Sequence, residues 1–162
     1  MHLILGSDRS GFSLRRALEP WLREQGWAIT VLGPEQADQA VPFYEVAAAA
    51  ARAVQAGAER AVLICGTGMG MAQVAGKFQG VRAACAESVY SAKMARAVND
   101  SNVLCLGGWL IAPELAKEMT RVFLRTEFTE GLEEWRGAWL QTAKETIAAL
   151  EAQLYCGQQE VT

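Results

Sequence analysis

Histidine is nearly absent from this sequence, because His2 is the only one among its 162 residues. The four cysteines, Cys65, Cys85, Cys105 and Cys156, form no C-x-x-C pair, so a zinc site is not expected. If His2 takes no part in chemistry, proton transfer falls to cysteine, carboxylate, lysine, tyrosine or hydroxyl side chains. The sequence predicts neither a bound metal nor a cofactor.

Long runs of charge and long apolar runs are also missing. The 15 basic and 18 acidic residues give a net charge of −3 without a long basic stretch, which argues against a nucleic-acid partner. No apolar stretch reaches membrane-spanning length, and the N-terminus leads into a strand rather than a signal peptide. With 51% hydrophobic residues, we expect one domain over residues 1–162, located in the cytoplasm, with its cysteines as thiols and no membrane partner.

The most informative stretch is Cys-Gly-Thr-Gly-Met-Gly at residues 65–70. It follows an apolar run, 61–64, that is typical of a buried parallel strand, and it precedes a predicted helix. Its glycines allow close approach to a ligand, and its backbone amides favour negative charge. Cys65 and Thr67 therefore offer a nucleophile or base beside an anion site, where open α/β sheets bind their ligands.

Strand and helix patterns alternate along the whole chain, which predicts an α/β fold with a parallel sheet. Strands are predicted at 2–5, 28–32, 61–64, 81–85 and 102–106. A helix over 88–98 is predicted to turn Tyr90 inward. The last helix, about 133–154, carries one apolar stripe with two tryptophans, which predicts packing on the core or on a partner subunit.

Other motifs allow two interpretations each. Asp8 and Arg9 follow the first strand and form either a surface ion pair or a ligand contact. Asn99 either closes a turn or contributes to a site. A dinucleotide site is disfavoured, because residue 71 is methionine where the G-x-G-x-x-G fingerprint needs glycine.

Together these motifs resemble the family of ribose-5-phosphate isomerase B and galactose-6-phosphate isomerase (RpiB/LacAB). The resemblance spans nearly the whole chain and rests on residues 6–8, the loop 65–70, residues 80–83 and the stretch 99–104. It implies a Rossmann-like three-layer α/β/α sandwich with a five-stranded parallel sheet. It also implies a homodimer, possibly paired into a tetramer, with active sites at the subunit interface.

The same resemblance implies aldose–ketose isomerisation of a small anionic sugar through an enediolate, without a metal. Cys65 would move a proton between C1 and C2, and Thr67 would relay protons between the two oxygens. Asp8 and Asn99 would hold the sugar. Arg9 and Arg136 are the candidates for holding the anionic group. The enediolate would be stabilised by the loop amides, which belong to Gly66, Gly68, Met69 and Gly70.

Departures from the family pattern point to the substrate. Val98 stands where the family has the histidine credited with opening the sugar ring, and Trp109 and Leu132 stand where it commonly has arginines. A tetrose with an anionic group on C4 cannot close a furanose ring, so it needs no ring opening. We therefore predict D-erythrose 4-phosphate/D-erythrulose 4-phosphate as the substrate pair. Ribose 5-phosphate, a 4-deoxy-4-sulfo-tetrose and a non-catalytic sugar-phosphate-binding subunit are the alternatives.

Overall fold

A computed structural model of the chain describes residues 2–156. Strands and helices alternate through this range, as the hydrophobic pattern predicts. In chain order they are β1 (His2–Ser7), α1 (Phe12–Glu24), β2 (Ala28–Leu32), α2 (Phe43–Gln55), β3 (Arg60–Cys65), α3 (Met69–Ala75), β4 (Ala83–Cys85), α4 (Val89–Ala97), β5 (Val103–Gly107), α5 (Pro113–Arg125) and α6 (Glu134–Cys156).

The five strands form one parallel sheet in the order β2-β1-β3-β5-β4. The chain leaves β1 towards β2 and then returns to the other side of β1 with β3. The carboxyl ends of β1 and β3 therefore lie side by side at a point where the strand order reverses, which is where such sheets bind ligands. The predicted α/β class and five-stranded parallel sheet are confirmed.

Two apolar cores cover the two faces of the sheet and make the molecule a three-layer sandwich. Along β3, Val62 and Ile64 face the core formed with α1, α4 and α5, whereas Ala61 and Leu63 face the core formed with α2 and α3. The alternating strand residues are buried on both faces, which is why the central strands are continuous apolar runs.

Two local predictions are wrong. β4 begins at Ala83 rather than at residue 81, because the amide of Val81 donates to Phe78 O in a turn that precedes the strand. Tyr90 is 74% exposed rather than turned inward, because α4 buries a narrow face of small residues that includes Ala92 and Ala95.

Helix α6 lies outside the sandwich. Only Leu140 of this 23-residue helix is buried. The predicted apolar stripe is half-buried at Ala143 and exposed at its other positions, Trp135, Trp139, Ile147, Leu150 and Leu154. Three polar contacts connect it to the body: Lys144 pairs with Asp100, Glu151 accepts from the Gly80 amide, and Tyr155 donates to Lys77 O. Among residues 2–156, no helix combines the length and apolar character that spanning a bilayer requires.

Candidate active site

The carboxyl edge of the sheet brings three strand ends together. The amide of Asp8, just after β1, donates to Ile64 O at 3.2 Å, which holds Asp8 beside Cys65 at the end of β3. On the other side, Cys65 pairs with Gly107 at the end of β5. The edge therefore gathers a carboxylate, a thiol and a glycine-rich turn within one small region.

Glycines allow the turns at this edge to pack closely on one another. A Cβ on Gly11 would lie 2.3 Å from Ile64 O, and a Cβ on Gly108 would lie 2.8 Å from Ser10 O. The amide of Gly108 also donates to Cys65 O at 2.7 Å. The backbone around Cys65 is thus fixed from both neighbouring strands.

The loop of residues 65–70, here called the glycine loop, folds back over its own cysteine. Gly68 has φ +81°, a conformation that favours glycine, and its amide donates to Cys65 Sγ at 3.1 Å. The amide of Met69 donates to Thr67 Oγ1 at 3.4 Å. Cys65 is 6% exposed, so its sulfur lies at the floor of the loop with an amide donor aimed at it. Such a donor stabilises negative charge on sulfur.

Asp8 and Arg9 do not form an ion pair with each other. One carboxylate oxygen, Asp8 Oδ1, accepts from the Gly11 amide at 2.9 Å and shapes the turn into α1. Asp8 Oδ2 has no hydrogen-bond partner among the described residues, and the exposed Arg9 guanidinium has none there either. Both groups are open to a ligand at the carboxyl edge.

Two aromatic side chains contact the glycine loop, and the sequence analysis did not identify one of them, Phe43, as a neighbour of the site. A Cβ on Gly70 would lie 2.8 Å from the Phe43 ring, and a Cβ on Gly66 would lie 2.8 Å from the Trp109 ring. The only signal for Phe43 in the sequence is its position just after the polar loop that follows β2. Met69 belongs to the glycine loop, Tyr44 follows Phe43 and Leu110 follows Trp109 in the chain. All three side chains are exposed.

Asn99 and Arg136 lie away from the glycine loop within one chain. Asn99 precedes β5, whose first residue, Val103, pairs with Ala61 four residues before Cys65. That separation is about 13 Å along the strands, at the opposite edge of the sheet. Arg136 lies in the first turn of α6, which packs on the same end as Asn99: Gly137 contacts Thr129, and the Thr129 amide donates to Ala97 O.

A cavity of about 280 Å³ opens at this amino edge. Val98, Asn99, Arg82, Trp139 and Lys144 are among its lining residues, and no residue of the glycine loop lines it. One chain therefore holds the candidate residues in two groups. We call Asp8, Arg9 and the glycine loop the carboxyl-edge group, and Asn99 and Arg136 the amino-edge group.

The turn that carries Asn99 is fixed by its neighbour Asp100. Asp100 is a buried residue with φ +47°, and its carboxylate receives Arg96 at 2.8 Å, Arg82 at 3.0 Å and Lys144 at 2.6 Å. Burial by itself would raise the pKa of Asp100, but the hydrogen bond from Lys144 and the charges of Arg82 and Arg96 outweigh it and lower the pKa below its ordinary value of 3.8. Asp100 is therefore ionised at neutral pH.

Two further cysteines lie near the glycine loop. Burial, with smaller effects of Glu87 and Cys65, raises the pKa of Cys85, and burial raises the pKa of Cys105 well above its ordinary value. Cys85 Sγ lies 3.6 Å from Thr67 O, so this neutral thiol contacts the loop backbone. Within the part of the chain that the structure describes, no three His, Cys, Asp or Glu residues cluster as metal ligands would.

The chain is similar to known isomerases over most of its length. The family model described as Ribose/Galactose Isomerase matches residues 3–138. A 4-deoxy-4-sulfo-D-erythrose isomerase from Clostridium sp. (strain MSTE9) is 50% identical over 156 residues, which cover 96% of this chain and 98% of the relative. A D-erythrulose-4-phosphate isomerase from Pectobacterium atrosepticum is 35% identical over 81% of this chain and 87% of the relative.

A solved structure supports the same assignment. Ribose-5-phosphate isomerase B from Clostridium thermocellum superposes with a TM-score of 0.85 at 32% identity, covering 95% of this chain and 99% of that one. The matched segment includes the strand ends, the glycine loop and the turn before β5. The chain belongs to the ribose/galactose isomerase family.

Proposed function

We propose that the protein is an aldose–ketose isomerase that acts on an open-chain, four-carbon sugar with an anionic group on C4. The observation that carries the proposal is the Cys65 sulfur at the floor of the glycine loop, with the Gly68 amide at 3.1 Å and with Asp8 at the end of the neighbouring strand, where its amide bonds Ile64 O. A base, a set of amide donors and a hydroxyl-binding carboxylate are what proton transfer next to a carbonyl group needs.

In the proposed mechanism, the Cys65 thiolate removes the proton from C2 of the aldose and returns it to C1 of the resulting enediolate. Thr67 Oγ1 takes the proton from one substrate oxygen and delivers it to the other, so no net proton is gained or lost. Because Gly68 and Met69 direct their amides to Cys65 and Thr67, the Gly66, Thr67 and Gly70 amides are the donors left for the enediolate oxygens. Asp8 Oδ2 would accept a hydrogen bond from a substrate hydroxyl.

The four-carbon length is supported by the lack of a histidine in either group. His2 lies at the start of β1, where its ring bonds Thr30 at 2.8 Å, and position 98 is valine. A substrate that is already open-chain needs no acid or base for ring opening. A 4-deoxy-4-sulfo-tetrose is the first candidate, on the strength of the relative that is 50% identical over 96% of this chain. Tetrose 4-phosphate is the second candidate, supported by the relative that is 35% identical.

We further propose that two copies of the chain complete the site, with the amino-edge group of one copy facing the carboxyl-edge group of the other. Two observations support this arrangement. The groups lie at opposite edges of one sheet, and exposed apolar side chains adjoin both, including Leu110 at one edge and Trp139 at the other. The exposed stripe of α6 would then pack on the partner. Free thiols, including Cys65, suit the reducing cytoplasm.

The test is a comparison of kcat/KM for 4-deoxy-4-sulfo-D-erythrose, D-erythrose 4-phosphate and D-ribose 5-phosphate, with Cys65→Ala beside the parent protein. We expect both tetroses to be preferred over the pentose. Cys65→Ala should lower kcat/KM about 10³-fold, because a general base is lost. Exchange of the C2 proton with deuterated solvent, followed by NMR, should disappear in the same variant.

Cys156→Ala is the matched control, since it removes an exposed thiol at the end of α6 and should leave kcat/KM unchanged. Full activity of Cys65→Ala would refute the assignment of the base. Tight binding of a tetrose with neither isomerisation nor proton exchange in the parent protein would instead identify a non-catalytic binding protein. A preference for ribose 5-phosphate would refute the open-chain argument.

A further inference from the structure

Trp109 is an exposed aromatic residue that lies against the glycine loop. Its indole ring would be 2.8 Å from a Cβ on Gly66, so the ring rests directly on the backbone next to Cys65. The side chain is nevertheless 72% exposed. Part of the ring thus contacts the loop, and the rest of the ring is exposed next to it.

The ring is not needed to hold its own turn in place. The Trp109 amide donates to Gly66 O at 3.0 Å, and the Gly108 amide donates to Cys65 O at 2.7 Å. Both bonds use the main chain, which any residue at position 109 would supply. A largely exposed ring also adds little to the apolar core. The indole is therefore free to serve the ligand that the loop binds.

Charge at the carboxyl edge is sparse. Arg9 is exposed and has no partner among residues 2–156, and the carboxylate of Asp8 lies next to it in the chain. Arg15, one turn into α1, is buried and donates to Pro34 O. A second copy would add Arg136, while Arg82 and Lys144 of its cavity are already paired with Asp100, so a doubly charged ligand group would meet few free cations and an apolar wall.

An indole ring beside the site discriminates between anions, because an anion must lose part of its hydration shell to lie against the ring. The free energy needed to strip water from an ion rises with the square of its charge, so a dianion is penalised about four times as much as a monoanion. A phosphate monoester carries about −1.5 to −2 charges at neutral pH, whereas a sulfonate carries a single charge. The same ring therefore tolerates a sulfonate far better than a phosphate.

We propose that Trp109 is a specificity-determining residue, whose indole favours a singly charged sulfonate over a phosphate on the same four-carbon chain. The inference rests on the proposed function, namely isomerisation of a C4-anionic tetrose at Cys65. It assigns the choice between the two candidate substrates to one side chain beside Gly66.

The measurement is the specificity ratio, defined as kcat/KM for 4-deoxy-4-sulfo-D-erythrulose divided by kcat/KM for D-erythrulose 4-phosphate. Trp109→Arg and Trp109→Lys should lower the ratio roughly tenfold, chiefly by raising kcat/KM for the phosphate, because they replace the apolar wall with a cation. Trp109→Phe keeps an aromatic wall and should leave the ratio within roughly threefold of the parent. Gln25→Arg adds the same charge at an exposed site at the far end of α1 and should not change the ratio.

Equal losses on both substrates in the two cationic variants, with the ratio unchanged, would overturn the proposal and mark Trp109 as a structural or interface residue. Light scattering on the same samples reports whether such a loss follows from dissociation of the oligomer. If the parent protein turned over neither tetrose, the proposed function itself would fail. A parent protein that prefers the sulfonate, with a ratio that position 109 does not affect, would place the selectivity elsewhere.

Discussion

Asp100 shows at the scale of one residue what the sequence could and could not reveal. Asn99-Asp100 reads as a turn, and Asp100 does adopt a left-handed φ of +47°, which asparagine and aspartate tolerate better than most other residues with a side chain. The sequence does not show that Arg82, just before β4, and Lys144, in α6, join Arg96 of α4 on this carboxylate. Arg82 and Lys144 lie far from Asp100 in the chain, and such contacts depend on the tertiary fold, which local patterns do not encode.

Replacing Asp100 with asparagine should destabilise the protein by about 3 kcal/mol at pH 7, because three cations lose a buried carboxylate. Asparagine keeps the left-handed turn, so the change isolates the charge. Because the folded pKa of Asp100 lies below its ordinary value of 3.8, its stabilisation is present above that value and is lost as the pH falls through the folded pKa. The difference in unfolding free energy between parent and variant should therefore shrink below pH 3.8.

Urea unfolding of the parent, Asp100→Asn and Glu114→Gln at pH 7, 4 and 3 measures this difference. Glu114 is the control, since it pairs with Lys117 at 2.7 Å but is largely exposed, and its loss should change stability by less than about 1 kcal/mol. A difference between parent and Asp100→Asn that does not change with pH would show that the carboxylate charge is not the stabilising feature.

The glycine loop is the element whose structure the sequence predicts best. The apolar run 61–64, the strand end and the helix after it all appear, because buried strands and glycine turns are encoded locally. Local patterns do not show which glycine is sterically required. Gly68 is required, because a Cβ there would lie 2.9 Å from the Leu106 backbone and 3.0 Å from Cys85 Sγ. Both of these contacts come from other strands.

Gly68→Ala should lower kcat/KM about 10²-fold, because displacing the loop moves the amide that bonds Cys65 Sγ. Gly26→Ala is a matched control: Gly26 has a similar φ of +86° at the end of α1, but nothing lies within 4 Å of its Cβ position. That control should lose about 1 kcal/mol of stability with no change in kcat/KM. If the two variants had the same kcat/KM, the position of the Gly68 amide would not matter for catalysis.

At the scale of the whole molecule, the site residues named from the sequence fall into two separated groups. The periodicity of α6 predicts its apolar stripe, but a stripe alone cannot tell whether a core or a second copy covers it. In the described chain the stripe is exposed, and Asn99 and Cys65 lie at opposite edges of the sheet. The proposed two-copy site explains both facts with one arrangement, and it makes a prediction about mixed dimers.

Mixed dimers with two affinity tags test whether each site is shared between chains. One chain carries Cys65→Ala and the other carries Asn99→Ala together with Arg136→Ala, so that each homodimer has lost one group from both sites. In a shared site, the purified heterodimer regains one intact carboxyl-edge and amino-edge pair and about half of the parent activity. The reverse mixture, the parent chain with a chain carrying all three changes, should be inactive, because both of its sites are then incomplete. If each site were instead built within one chain, the two mixtures would exchange results: the first would stay at the background of its homodimers, and the second would keep half of the activity.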